Sequence, residues 1–596
     1  MRILRLSLLC LLATNVFPAE PADLGGLWKA YRRFGGIDHA RLLLTRSEDG
    51  YRADILGSSP PVSLDRGALT FTLPGGQGSF RGRVEKEGGR IVGHWFRNGS
   101  AVPVTLIPDG AGRWSGTVTT APDELTFFLL LRPDGSDTWT AVLRNPERAF
   151  GSLWRVSKLV RRGERLELTG DGTIGDGSFD AENERITLSL GGRGAFDFSR
   201  EGDDSSFYPR GKTPPRYAYR PPPAFEDGWP TSTLAATNID RGGIERAVQW
   251  ILEIPMDSGD APQYDALLIA RHGKLVLEEY FHGEHRDRLH NVRSAGKSVT
   301  SVLVGAVMQD QAPLRLSSPV YQVMNDGTFP DGLEEAKRGM TLEHLLTMSS
   351  GYFCDDTNDQ APGNEDKIWD AQEQNPDFAR FTLGLPLATP PGEKSVYCSM
   401  QPNLALAMVG RATKDFPLAA FDRLVARPMR LGPYAWALDG AGNAYGGGGL
   451  MLLPRDFLKF GQLMLNRGAW GGRPIVGREF ARASIASQYH LRRITYGYLW
   501  WAEDLPYKNR TVRAFLALGN GGNNIVGIPE LDLVVALYGA NYGSRATGRI
   551  REIVPRLILP AVREPGDDEN APVVEHEYTN PYGRSDDGSR VLASPR

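Results

Sequence analysis

Residues 294–308 read SAGKSVTSVLVGAVM, and this stretch decides the fold. The apolar run predicts a largely buried helix from Val299 to Met308. Ser294 and Lys297 are three residues apart, so at the start of a helix the hydroxyl and the ammonium lie on one face. The Ser294 N–H would then be one of the unpaired donors of a helix start. Because a Ser-x-x-Lys sequence also occurs by chance, its surroundings must decide its meaning.

Strands and helices of one mixed domain surround this motif. Asp265–Arg271 and Lys274–Phe281 predict a strand hairpin across His272-Gly273. Helices are predicted at Thr341–Met348, Asp456–Asn466 and Ala546–Leu557, and late strands at Tyr496–Trp501, Arg513–Leu518, Ile525–Ile528 and Leu533–Tyr538. The pattern indicates an α+β domain over residues 231–563.

The sequence also argues against two other kinds of functional site. Gly296-Lys297-Ser298 imitates the end of a phosphate-binding loop, but Asn291 stands where that loop needs glycine. No Gly-x-Ser-x-Gly occurs in the chain, so the nucleophile elbow of α/β-hydrolases is absent. His290 is a minor candidate for the base that activates Ser294. The 9 histidines show no zinc-binding spacing, so neither a metal nor a cofactor is expected.

Six segments together resemble the serine β-lactamase-related family. That family includes class C β-lactamases, penicillin-binding D-alanyl-D-alanine carboxypeptidases, related esterases and 6-aminohexanoate-dimer hydrolases. The segments are Leu267–Phe281 (LLIARHGKLVLEEYF), Ser294–Lys297, Thr341–Gly351 (TLEHLLTMSSG), Pro391–Ser399 (PGEKSVYCS), Pro454–Gly468 and Tyr496–Trp501 (YGYLWW). The resemblance implies a β-lactamase/transpeptidase-like domain, with an antiparallel sheet flanked by helices and an all-helical part.

The resemblance also implies a catalytic group of Ser294, Lys297 and Tyr397. Ser294 would attack a carbonyl carbon, and the backbone N–H groups of Ser294 and Asn523 would form the oxyanion hole. A neutral Lys297 needs a pKa about 3 units below ~10.4, and a phenolate at Tyr397 needs a similar fall. The two side chains are therefore treated as one coupled pair, with the base left open.

Substrate-binding positions depart from the family pattern at Ser399, Asn520, Gly521 and Gly522. Ser399 stands where the family's Tyr-x-Asn has its asparagine, unless Asn403 supplies that amide. Asn520-Gly521-Gly522 aligns with the family's Lys-Thr-Gly or His-x-Gly and lacks its cation, although a tight hairpin would also explain the glycines. These changes favour simple esters or uncharged amides over β-lactams. The segment Gly446–Gly449 is interpreted as a flexible loop.

The expected function is thus a serine hydrolase of small ester or amide substrates, acting through an acyl-enzyme on Ser294. The alternative is a non-catalytic, penicillin-binding-like sensor of a cell-wall ligand. Retention of Ser294, Lys297 and Tyr397 together favours the hydrolase. A net charge of −3 without a basic run indicates no nucleic-acid partner.

Residues 23–201 form β-rich runs that repeat. Trp28 is followed by the leucines at 42–44, and Trp114 by those at 129–131, at nearly the same offset. A duplicated all-β domain, a closed barrel or a sandwich, is predicted. Residues 202–230 are proline-rich and predict a linker, and residues 564–596 a disordered tail.

The start of the chain has the pattern of an export signal. Residues 1–22 combine arginines, a leucine-rich run and small residues, which predicts a signal peptide and a periplasmic or secreted protein. No later run approaches the ~20 apolar residues of a transmembrane helix. Cys354 and Cys398 would remain after cleavage, and the resemblance brings both to the rim of the catalytic site. They would form either one disulfide or two buried thiols.

Overall fold

The structure is a computed structural model. It describes residues 23–34, 39–65, 67–85, 89–148, 150, 154–544, 546–568 and 572–578. The predicted signal peptide lies outside these residues. The described part contains three large hydrophobic cores, one in the α+β domain and two in the all-β region before it. No helix among the described residues is long and apolar enough to cross a membrane.

Two closed antiparallel barrels of eight strands each form the all-β region. The first barrel contains β1 and β10–β16, and the second contains β2–β9. The strands are β1 Gly26–Arg33, β2 His39–Ser47, β3 Gly50–Asp54, β4 Pro61–Asp65, β5 Ala68–Thr72, β6 Ser79–Val84, β7 Ile91–Arg97, β8 Ser100–Pro108, β9 Arg113–Thr119, β10 Glu124–Pro133, β11 Thr138–Arg144, β12 Lys158–Arg162, β13 Arg165–Thr169, β14 Thr173–Asp180, β15 Arg185–Leu190 and β16 Ala195–Arg200. Buried side chains fill both interiors.

The two barrels exchange their first strands. β1 pairs with β10 and β16, whereas β9 pairs with β2 and β8. The two halves of the sequence repeat begin at Trp28 in β1 and at Trp114 in β9. Each half, β1–β8 or β9–β16, therefore gives one strand to one barrel and seven strands to the other. This exchange ties the barrels into one unit.

The α+β domain is built on an eight-stranded antiparallel sheet in the order β18-β17-β29-β28-β27-β26-β25-β24. Its hairpin β17–β18 forms as predicted. The predicted strand Tyr496–Trp501 is wrong, because Gly497–Trp500 form a turn in which Leu499 has a φ of 60°. The strands of the domain are β17 Ala266–Arg271, β18 Lys274–Tyr280, β19 His290–Asn291, β20 Ala435–Ala437, β21 Leu450–Leu452, β22 Ala469–Trp470, β23 Arg473–Pro474, β24 Tyr489–Leu491, β25 Ile494–Tyr496, β26 Trp501–Tyr507, β27 Arg510–Gly519, β28 Asn523–Ile528 and β29 Leu533–Tyr538.

Helices flank this sheet and form a separate helical part. They are α1 Arg241–Leu252, α2 Gly296–Gln309, α3 Val320–Met324, α4 Glu335–Arg338, α5 Leu342–Leu346, α6 Glu365–Asp370, α7 Phe378–Leu383, α8 Met400–Thr413, α9 Pro417–Phe421, α10 Pro454–Leu465, α11 Arg478–Ser484 and α12 Ala546–Arg549. Thr341 caps α5 as predicted, through a capping box with His344. The predicted helix Ala546–Leu557 is shorter, since short 3₁₀ and π turns follow α12 and Pro555 lies within them.

A continuous sheet joins the second barrel to the α+β domain. β8 pairs with β20, β20 pairs with β21, and β21 pairs with β19. β19 ends at Asn291, just before Ser294. The boundary between the domains is thus crossed by backbone hydrogen bonds, which hold the approach to Ser294 against the barrel.

The predicted linker and tail both pack onto the protein. Residues 202–230 contain neither helix nor strand, yet Tyr217 is buried and its hydroxyl donates to Glu279 at 2.5 Å. In the predicted tail, Glu564 pairs with Lys508, and the Tyr578 hydroxyl donates to Glu503 at 3.2 Å. The described tail residues, 564–568 and 572–578, contain neither helix nor strand, and disorder of the tail stays a prediction.

The strand exchange makes β1 essential to the first barrel. Trp28 is fully buried and donates its indole N–H to the Leu24 carbonyl at 2.8 Å. Trp28→Ala should lower the free energy of unfolding by about 3–5 kcal/mol, because it leaves a cavity and an unpaired carbonyl. Tyr31→Ala, on the same strand but 56% exposed, is the matched control and should change it by only about 0.5 kcal/mol. If urea unfolding gives the same loss of unfolding free energy for Trp28→Ala and Tyr31→Ala, β1 does not close the barrel.

Candidate active site

Ser294 lies in a 3₁₀ turn, Arg293–Ala295, that leads directly into α2. Arg293 has a φ of 54°, in the left-handed region that a residue with a side chain seldom adopts. Its backbone N–H donates to the Asn291 side chain at 2.9 Å, and its guanidinium donates to the Glu147 carbonyl at 3.2 Å. Because Glu147 follows β11, the first barrel helps to hold the strained turn that presents Ser294.

The Lys297 ammonium is the centre of the site. Lys297 is 2% exposed, and its Nζ donates to Ser294 Oγ at 2.9 Å and to the Gly447 carbonyl. The same nitrogen lies 5.0 Å from the centre of the Tyr397 ring. Gly446–Gly449 is therefore a fixed part of the site, and the prediction of a flexible loop is wrong. The motif residues Ser294, Lys297 and Tyr397 meet as the sequence predicts.

Lys297 is held in its charged form. Burial lowers the pKa of Lys297, but the charges of Tyr397, Glu365 and Asp356, together with a hydrogen bond to Tyr397, raise it by more. The net result is a lysine pKa above its ordinary value. A neutral Lys297, one of the two alternatives for the base, is therefore disfavoured.

Tyr397 is fixed by its neighbours on both sides. Its ring stacks on Trp501 at 5.5 Å, and the Arg492 guanidinium lies over the ring at 4.3 Å. The next residue, Cys398, is disulfide-bonded to Cys354 with a Cα separation of 5.5 Å. The disulfide holds the segment that presents Tyr397.

Ser294 opens into a cleft of about 230 Å³. The lining combines apolar surface with two amides, three hydroxyls and two guanidinium groups. Its residues are Ser294, Tyr397, Arg492, Leu518, Gly519, Asn520, Asn524, Thr547, Gly548 and Arg551. No carboxylate belongs to this described lining, although Arg551 is paired with Glu503 behind it.

Ser399 and Asn403 make their hydrogen bonds inside the protein. Ser399 is fully buried, and its hydroxyl donates to Asp356 at 2.6 Å. The Asn403 side-chain oxygen accepts from the Gly446 N–H at 3.0 Å, so its amide supports the Gly446–Gly449 segment. Neither residue lines the described cleft. These contacts give no support to a substrate-binding role for Ser399 or for Asn403, and that role stays a prediction.

The aligned third motif contributes only one of its predicted residues. Asn520 lines the cleft, whereas Gly521 and Gly522 form the hairpin turn between β27 and β28 with φ values of 90° and 94°. Asn523 is fully buried; its side chain donates to the Asn520 carbonyl at 2.9 Å. Gly521, Gly522 and the proposed oxyanion donor Asn523 therefore lie away from the described lining.

Gly519 lets β27 approach the turn that carries Ser294. A Cβ atom at Gly519 would lie 2.2 Å from the Val292 carbonyl oxygen and 3.2 Å from the Ala295 nitrogen. Only glycine allows strand and turn to approach so closely. The backbone of the following residue, Asn520, is thereby brought to the rim of the cleft.

The sequence analysis missed the cations of the cleft. Arg492 comes from the turn between β24 and β25, and Arg551 from a 3₁₀ turn after α12. Neither lies in a motif, so no local signal marks them. The cleft thus has two arginines from other elements and no cation at Asn520.

His290 is a structural residue. Its ring stacks on Tyr538 at 4.5 Å and its Nε2 lies 3.4 Å from the Tyr542 hydroxyl. Burial lowers the pKa of His290 to about 3, with the Arg288 and Arg293 charges adding to the effect. His290 does not line the described cleft, and the minor role considered for it as a base finds no support there.

The antiparallel sheet, the buried Ser-x-x-Lys helix and the adjacent tyrosine define a β-lactamase/transpeptidase-like domain. Residues 263–553 match the family model described as Beta-lactamase, and this part of the chain is a domain of that family.

Three solved structures are similar to about half of this chain. A Bacillus anthracis protein with the provisional name 6-aminohexanoate-dimer hydrolase is 19% identical over 48% of this chain and 77% of its own, with a TM-score of 0.41. EstCE1, a hydrolase with promiscuous acyltransferase activity, is 16% identical over 52% and 97%, with a TM-score of 0.42. A penicillin-binding protein homolog from Caulobacter crescentus is 15% identical over 52% and 96%, with a TM-score of 0.41.

The disulfide leads to a direct chemical test. Alkylation of the denatured protein without reductant should leave Cys354 and Cys398 unmodified and joined in one cross-linked pair of peptides. Their replacement by serine should lower the free energy of unfolding by about 4 kcal/mol in the chain-entropy model, because the bond closes a loop with a sequence separation of 44. Alkylation of both cysteines in the denatured protein without reductant would contradict the pairing.

Proposed function

We propose that the protein is a serine hydrolase that cleaves an ester or amide bond through an acyl-enzyme on Ser294. The observation that carries the proposal is the 2.9 Å hydrogen bond from Lys297 Nζ to Ser294 Oγ, beside Tyr397 and at the cleft. Membership of residues 263–553 in the Beta-lactamase family supports the same chemistry.

The reaction proceeds in two displacements. Ser294 Oγ forms a bond to the carbonyl carbon of the substrate as its proton passes to the oxygen of Tyr397. Because Lys297 is a cation, it stabilises negative charge on that oxygen and cannot itself accept the proton. The proton then goes to the departing alcohol or amine, and water attacks the acyl-enzyme in the same way.

Two backbone N–H groups stabilise the oxyanion of each step. One belongs to Ser294, at the start of α2. For the second we assign Asn520 in place of Asn523, because Asn520 lines the cleft directly after Gly519. Preorganised donors of this kind contribute about 3–4 kcal/mol each to a transition state.

The protein acts outside the cytoplasm in this proposal. The signal-like pattern of residues 1–22 supports export. The Cys354–Cys398 disulfide supports the same conclusion, since such bonds persist in oxidising compartments. The two barrels would then be exported with the hydrolase domain.

Ser294→Ala should abolish turnover. Without the hydroxyl no acyl-enzyme forms, so kcat should fall by ~10⁴-fold or more in a steady-state ester assay. Ser298→Ala is the matched control in the same helix, since its hydroxyl donates to the Leu499 carbonyl at 2.6 Å and does not line the cleft. A Ser294→Ala protein with a tenth of the original rate would remove Ser294 from the mechanism.

Lys297 and Tyr397 should act as one unit. Lys297→Ala and Tyr397→Phe should each reduce kcat strongly, because each removes one half of a shared proton site. The double variant should lose far less than the product of the two single losses. Losses that multiply would mean that the two side chains act independently.

Arg492 should set the preference for substrate charge. A carboxylate near the reacting carbonyl would meet its guanidinium, and a charge-assisted hydrogen bond contributes about 1.5–3 kcal/mol. Arg492→Gln should therefore lower kcat/KM for a carboxylate-bearing ester about tenfold or more relative to the neutral ester of the same alcohol. This reverses the preference for uncharged substrates expected from Asn520 and Ser399. If Arg492→Gln leaves the ratio of kcat/KM for the two esters unchanged, the preference for uncharged substrates remains the expectation.

The non-catalytic sensor is the alternative, and covalent chemistry separates it from the hydrolase. A protein without acylation chemistry would stay unlabelled by a fluorescent penicillin and by a fluorophosphonate. Screening short-chain esters, D-amino-acid amides, linear amide dimers and a chromogenic cephalosporin side by side would then identify the acyl group.

A further inference from the structure

Asp356 holds the segment that carries Tyr397. Its carboxylate accepts from the Ser399 N–H at 2.9 Å and from the Ser399 hydroxyl at 2.6 Å. Its own N–H donates to the Tyr397 carbonyl at 3.0 Å. The disulfide from Cys354 to Cys398 lies between these contacts. Asp356 is therefore hydrogen-bonded to the residues on both sides of Cys398.

Glu365 approaches the same point from α6. The Tyr445 hydroxyl donates to the Glu365 carboxylate and also contacts the Ser399 side chain. Ser399 and Tyr445 are both buried, with exposures of 0% and 2%. Each carboxyl group thus accepts from one buried hydroxyl, Asp356 from Ser399 and Glu365 from Tyr445, and the two hydroxyls lie side by side.

These groups lie beside Lys297. A Cβ atom at Gly447, whose carbonyl accepts from Lys297, would be 2.4 Å from the Tyr445 hydroxyl and 2.6 Å from the Ser399 carbonyl. Asp356 and Glu365 are accordingly among the charges that raise the pKa of Lys297. Desolvation and the Glu365 charge raise the pKa of Asp356 itself to about 7.

We propose that Asp356 and Glu365 form an acid pair, with Ser399 and Tyr445 as their hydroxyl partners, that keeps Lys297 protonated and positions Tyr397. This inference rests on the proposed function of the Lys297–Tyr397 pair. Both acids are positioning residues, because neither lines the described cleft. Ser399, in place of the family's asparagine, would then hold Asp356 and not bind substrate.

The groups that face Lys297 come from several elements. Ser294 and the Gly447 carbonyl accept its hydrogen bonds, and Tyr397 lies on its other side. Arg492 lies over the Tyr397 ring and is the neighbouring cation of the cleft. Asp356 and Glu365 supply negative charge near Lys297, so their removal leaves its ammonium with less compensating charge.

The test is the pH dependence of kcat/KM in Asp356→Asn, Glu365→Gln and the double variant of the full chain. The two limbs of the profile report the coupled Lys297–Tyr397 pair. Loss of negative charge makes both deprotonations easier, so both limbs should move to lower pH. The double variant should move by roughly one unit or more, and each single variant by less because one carboxyl remains.

Asp359→Asn is the control, because Asp359 is an exposed acid on the same loop. It should leave both limbs where the unmodified protein has them. The amide substitutions keep the size and one acceptor oxygen of each side chain, so a purely structural role would change the rate but not the pH values. If the double variant does not fold, the test is the direction in which the pH profile of either single variant shifts. No shift, or a shift to higher pH, overturns the acid pair.

Failure of the proposed function gives a different result. If Ser294→Ala retains turnover, the hydrolase mechanism fails whatever the pH profiles show. If Ser294→Ala is inactive but the profile of the double variant coincides with that of Asp359→Asn, only the acid pair fails.

Discussion

A buried ammonium imposes the central constraint on this protein. Lys297 is almost without solvent, and an unpaired charge in such a place would cost several kcal/mol. The ammonium is stabilised by the Ser294 hydroxyl, by the Gly447 carbonyl and by the negative groups around them. The Gly446–Gly449 segment must therefore be rigid, and it is held by the Asn403 side chain and by the Thr300 hydroxyl. The same contacts that offset this desolvation cost also place Lys297 against the Ser294 hydroxyl, the proposed nucleophile.

The barrels share in this support. β8 extends the sheet of the second barrel through β20 and β21 to β19, and Glu147 of the first barrel region accepts from Arg293. Both contacts reach the turn that presents Ser294. The exchange of β1 and β9 makes the two barrels one unit, so the turn is held from two sides of a single support.

Much of the site could be predicted because its signals are local. Ser294 and Lys297 share a helical face, and the resemblance places Tyr397 by its motif. The hydrogen bond from the Ser399 side chain to Asp356 could not be predicted, because Asp356 is 43 residues away on another loop. Arg492 and Arg551 reach the cleft only through tertiary packing, and no motif includes them. For the barrels, the repeat predicts duplication, but which barrel receives β1 depends on contacts between distant strands.

The most direct test of the central claim is the site of covalent modification by a fluorophosphonate. The labelled full-length protein would be digested, and the modified peptide located by mass spectrometry. The structure predicts one adduct, on Ser294, and its loss in the Lys297→Ala protein, since an isolated serine hydroxyl is a poor nucleophile. An adduct on another residue, or equal labelling of Ser294 without Lys297, would contradict the account.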